Sequence, residues 1–139
     1  MPELPDNNHD EARRWLGNVE DDLASMRAVQ RDSDSPRRMV CFLAHLVVEK
    51  ALKATLIDAE FPFAKTHNLL ELYDTCRSAG RLPNVDSEAL KQLNPWTIDG
   101  RYADDLVQAD RGIADHLAGF AAQLVASVRS ELETDRGDE

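Results

Sequence analysis

Cysteine is scarce in this chain: only Cys41 and Cys76, far apart and with no C-x-x-C pair. Both fall in helical apolar patterns, so they read as small buried hydrophobes in a reducing cytosol rather than as a bridge or a metal motif. No apolar run approaches the roughly 20 residues of a membrane span. The opening MPELPDNNHD lacks the apolar core of a secretion signal, so a cytoplasmic chain with no membrane partner is expected. Positive charge is also short, with 16 basic residues against 26 acidic ones and a net charge of -10. Such a surface repels phosphate backbones and argues against non-specific nucleic-acid binding, although a local basic patch remains open. Glycine-rich phosphate loops, G-x-S-x-G and H-E-x-x-H are missing as well, which removes the nucleotide-triphosphatase, serine-hydrolase and zincin readings.

What is present favours helix. Ala, Leu, Glu, Asp and Arg are abundant in the 139 residues, a length that suits one domain with its own core. Five helical segments can be read, and no convincing strand. The first runs from about Asp10 to Gln30, with Ala12, Trp15, Leu16, Val19, Leu23 and Met26 on one face. The second spans about Pro36 to Ala59. The third is THNLLELYDTCRSAG, with Thr66 expected as its N-cap, Leu69, Leu72, Tyr73 and Cys76 inward, and Gly80 just past its end. A short fourth helix, about Asp86 to Asn94, stops at Asn94-Pro95, and the last runs from about Leu106 to Leu132. Short loops imply antiparallel neighbours. The expected fold is an all-α, up-and-down four- or five-helix bundle over residues 10–132, with a loose N-terminus over 1–9 and a loose acidic C-terminus over 133–139.

The second helix, around CFLAHLVVEKALKATL, is apolar in nearly every direction. A helix of that kind is central, covered on several sides. His45, Glu49 and Lys53 nevertheless step along it by four, with Lys50 close by. Glu49 and Lys53 form a favourable pair at i and i+4, and the polar seam must face a groove, a ligand or a partner subunit. His45 and Glu49 would need further ligands from facing helices to hold a metal. The E-x-x-H pairs that supply them in bundles are missing, so no metal and no other cofactor is expected.

Four pieces in order resemble the HEPN family of small helical domains. They are W-L-x(6)-L at Trp15, Leu16 and Leu23; C-F-x-A-x(4)-E-K-A-L-K-A from Cys41 to Ala54; T-H-x-L at Thr66, His67 and Leu69; and R-Y-x-D at Arg101, Tyr102 and Asp104. The resemblance covers roughly residues 10–130. It implies a helical bundle that pairs into a homodimer. It also implies partnership with a minimal nucleotidyltransferase, often as a toxin–antitoxin pair. Many members are metal-independent ribonucleases with an R-x(4–6)-H motif, and others are non-catalytic nucleotide-binding or interaction modules.

Two functional readings follow. The first is a binding module for a nucleotide or a nucleotidyltransferase partner, through Glu49, Lys50, Lys53, Thr66, His67, Arg101, Tyr102 and Asp104. His67 is expected in a first helical turn, where free backbone N–H groups attract an anion such as phosphate. Arg101 can grip a phosphate and Tyr102 stack on a base, or both can clamp the loop onto the bundle. The second reading is an endoribonuclease toxin acting on RNA, with His116 as general base and Arg111 holding the phosphate across a dimer interface. Residues five apart diverge by about 140° around a regular helix, so one protomer would need a distorted helix start at Gly112 to bring the two together. Where the family often has a polar residue after the Arg, this chain has Gly112; where toxin members often have a tyrosine two after the His, it has Ala118. The bland counterpart is a solvated Arg111 and a His116 that flanks the core.

Overall fold

The structure is a computed structural model that describes residues 4–97 and 109–137. Among the described residues there are five α-helices and no strand: α1 (Leu4–Arg31), α2 (Arg37–Asp58), α3 (Leu69–Ser78), α4 (Ser87–Leu93) and α5 (Arg111–Gly137). The all-α bundle expected from the pattern is the observed architecture. None of these helices is long and apolar enough to cross a membrane.

Side-chain pairs fix the helix directions. On α1 and α2, His9 meets Asp58 and Asp22 meets Lys50, so the two run antiparallel. On α1 and α5, Glu20 meets Arg129 and Gln30 meets Asp115, so these two also run antiparallel. The second helix packs against all four others. Its buried residues include Val40, Val47, Ala51 and Ala54 on one side and Val48, Leu52 and Leu56 on another, which makes it the central element.

The helix ends explain the boundaries. At the α1–α2 turn, Asp32 Oδ1 accepts from the Asp34 N–H and Asp32 Oδ2 from the Ser35 hydroxyl. Pro36 then occupies the N-cap of α2 without a side-chain cap. Arg37 turns back instead and donates to the carbonyls of Val29, Gln30 and Asp32 at 3.2, 3.1 and 2.6 Å. Val29 and Gln30 belong to the last turn of α1, whose carbonyls lack i+4 helical partners, and Asp32 lies just past its end. At the other end of α2, Glu60 takes a left-handed φ of 55° while its N–H reaches Ile57 O and that of Phe61 reaches Leu56 O. Gly80 plays the same part after α3, with φ 75° and the paired bonds Gly80 N to Arg77 O and Arg81 N to Cys76 O. Both are Schellman closures, and only the second has glycine at the left-handed position.

Thr66 is not the N-cap of α3. Asn68 is, accepting from Leu70 N and Glu71 N at 3.0 and 3.1 Å, and the helix begins at Leu69. Thr66 Oγ1 instead accepts from Asn68 N at 3.1 Å, which holds the segment ahead of the cap. The inner face of α3 is as read, with Leu69, Leu72, Tyr73 and Cys76 buried. Three bounds differ: α1 begins at Leu4 rather than about Asp10, α5 begins at Arg111 rather than about Leu106, and α5 continues to Gly137 rather than ending near Leu132. The added turns are polar, so apolar periodicity does not signal them.

Candidate functional site

The polar seam of α2 converges on one carboxylate. Glu49 is 7% exposed, and its Oε2 accepts from Lys53 Nζ and from His67 Nδ1, each at 2.8 Å. Its Oε1 lies 3.6 Å from His45 Nδ1. Helical spacing of four brings His45, Glu49 and Lys53 onto one side of α2. The ordered stretch before α3 delivers His67, whose side chain remains 75% exposed. Burial pushes the Glu49 pKa up, but the hydrogen bonds and charges of Lys53 and His67 outweigh it and hold the carboxyl below its ordinary value. The site therefore contains a carboxylate anion nearly sealed from water, with an imidazole that projects from it to the surface.

His45 lies beneath this arrangement. It is 3% exposed and its Nε2 has no hydrogen-bond partner. Desolvation pushes its pKa below the ordinary value, against the opposing pull of Glu49. One turn before it on α2, Phe42 meets the buried Trp96 edge to face, with ring centroids 5.8 Å apart. The chain that follows α4 is thus anchored beside the same stretch of α2.

The expected cradle of free amides near His67 is absent. Leu69 N donates to Asn94 Oδ1 at 2.8 Å, Leu70 N and Glu71 N donate to Asn68, and Leu72 N donates to Asn68 O. Every N–H at the start of α3 has a partner, so an anion there finds none vacant. Lys50 also stands apart from the cluster, bonded to Asp22 of α1 at 2.9 Å. Arg101, Tyr102 and Asp104, with Leu106, lie outside the described residues.

Arg111 and His116 are both exposed on α5, Arg111 as its first residue. Asp110 caps this helix, its Oδ1 accepting from Ile113 N at 2.8 Å. A regular start of this kind leaves the two side chains about 140° apart, so one protomer does not bring them together. His116 faces solvent rather than flanking the core.

Sequence reasoning did not find a second charged cluster. Asp58, whose side chain is fully buried, meets His9 Nδ1 at 2.6 Å and Arg81 at 2.9 Å; Arg81 Nε also donates to Glu131 Oε1 at 2.9 Å. Burial opposes the Arg81 charge, but its bonds to Glu131 and Asp58 outweigh this and raise its pKa above the ordinary value. Glu131 also accepts from Leu82 N. This cluster ties α1, α2, the segment after α3 and α5 together, and reads as structural. A groove of about 380 Å³ beside it, between residues 82–85 and α5, shares no residue with the Glu49 cluster. Among the described residues, no three His, Cys, Asp or Glu side chains are placed to hold a metal ion.

A family model described as HEPN domain matches residues 12–131. The chain belongs to the HEPN domain family. Neither a curated protein nor a solved structure matches it significantly.

Proposed function

We propose that this HEPN protein is a cytoplasmic, homodimeric binding module. It takes a nucleotide or a minimal nucleotidyltransferase partner, as one half of a toxin–antitoxin-type pair. The binding surface is centred on Glu49, Lys53 and His67, with Thr66 beside them and Arg101, Tyr102 and Asp104 contributing from the segment before α5. The observation that carries this reading is the exposed His67 ring held by a buried Glu49, which also holds Lys53. In a chain with a net charge of -10, this is a fixed polar outlet with two cationic or proton-bearing groups on one anion. Lys50 joins the surface only from its edge.

Calorimetric titration with ATP and GTP tests the nucleotide arm. Binding that weakens by about tenfold in Lys53→Met, as expected when a charged hydrogen bond is lost, supports it. The partner arm is tested by co-expression with a minimal nucleotidyltransferase and recovery of the complex. Failure of both arms with the dimer intact would overturn the proposal. The ribonuclease alternative keeps one supporting observation: Arg111 and His116 are exposed, and neither pairs with another described residue, so both are open to a second protomer. RNA cleavage in excess EDTA, lost in both Arg111→Ala and His116→Ala, would establish it instead.

A further inference from the structure

We propose that His67 Nε2 is a nucleophile that accepts a phosphoryl group from small acyl-phosphate donors, so that His67 is a site of reversible phosphorylation. This goes beyond nucleotide or partner binding and does not depend on it. Three features of the geometry point to it. The Nδ1 of His67 lies 2.8 Å from Glu49 Oε2, so the neutral ring keeps its hydrogen on Nδ1 and leaves the Nε2 lone pair free. The ring is 75% exposed while the Glu49 side chain is only 9% exposed, so a donor can reach the nitrogen but water does not compete well for the carboxylate. Lys53 Nζ bonds the same Glu49 oxygen and has N–H groups to spare for an incoming phosphoryl oxygen.

The step balances without an added proton carrier. The Nε2 lone pair attacks phosphorus, the bond from phosphorus to the acyl oxygen breaks, and that oxygen leaves with its electron pair as a carboxylate. The ring gains a positive charge as the N–P bond forms, and its Nδ1 hydrogen stays in place against Glu49. A buried anion aimed at the atom pair where charge develops is the arrangement that favours such a step. Glu49 acts through His67 and is a positioning residue.

The molecule carries its own control. His116 is also exposed but meets no carboxylate among the described residues. The whole chain is incubated with acetyl phosphate, and in parallel with phosphoramidate, near neutral pH. Acid-labile phosphate is then located by peptide mapping and its ring position by phosphorus NMR. Labelling of His67 about tenfold faster than His116 is expected, the gain that one charge-assisted hydrogen bond supplies when it strengthens in the transition state. The label belongs on Nε2, and Glu49→Gln should bring His67 down to the His116 rate. Labelling of His67 no faster than His116 overturns the proposal without any variant, as does a label on Nδ1. Failure of ATP or GTP to bind would leave this result untouched, so the two readings fail separately.

Discussion

At His45, burial pushes the pKa below 6.5 while Glu49 pulls the other way and loses. The unfolded chain therefore takes up a proton near pH 6.5 that the native ring accepts only at lower pH. This contribution to stability is complete above about pH 6.5 and declines as the pH falls below it. Glu49 acts in a separate window. Its folded pKa lies below 4.5, so its contribution is present above about 4.5 and is lost as the pH falls through the folded value. Urea unfolding measured from about pH 7.5 down to 5.5 should show a loss of stability that His45→Leu reduces. A slope unchanged in that variant would assign the acid sensitivity elsewhere. Replacing Glu49 by Ala removes the anion shared by Lys53 and His67. Because both of its partners can then turn to water, a loss of only about 1–2 kcal/mol is expected from the melt.

The helix ends give predictions of a different kind. Arg37 serves carbonyls at the end of α1 from the first position of α2, so it closes the hairpin between these two helices. Arg37→Ala should cost about 1–2 kcal/mol, and Arg37→Lys should recover little, because a single ammonium cannot reach carbonyls that a planar fork spans. Glu60 occupies a left-handed position where a side chain is strained. Glu60→Gly is expected to raise stability by about 0.5 kcal/mol, observable as a higher denaturation midpoint. What the chain reveals at this scale depends on range. The inner face of α3 and the role of Gly80 were legible, because periodicity and left-handed closure are local properties. The cap at Asn68 was missed by two residues. One reason is that Asn94, 25 residues beyond Leu69, takes the Leu69 N–H and so fixes where α3 can begin. The Glu49–Lys53 pair was legible at i and i+4. Its link to His67 was not, since it spans 18 residues and depends on how the stretch after α2 folds back. Asp58, Arg81 and Glu131 left no signal, because each looks like an ordinary surface charge until the helices are assembled.

For the whole molecule, the two thiols report on cooperative opening. Burial pushes the Cys41 pKa up to about 11 and that of Cys76 up to about 12, and neither side chain is exposed. Both should be inert to a disulfide reagent in the native state and react at a rate set by unfolding. Their labelling rates should rise together with denaturant. If Cys76 reacted well before Cys41, α3 would be shown to detach before the α1–α2–α5 core opens. The apolar reading of α2 predicted this core correctly, because a helix buried on several sides can belong only at the centre of a bundle.

The tie from His9 through Asp58 and Arg81 to Glu131 has a consequence for chain connectivity. It holds the first turns of α1 and the last turns of α5 at the same end of the bundle. A short glycine–serine splice should therefore join α5 to α1 without bending either helix. With the chain reopened between the exposed Pro83 and Asn84, the circularly permuted protein should reach the same native packing, built in a different order of synthesis.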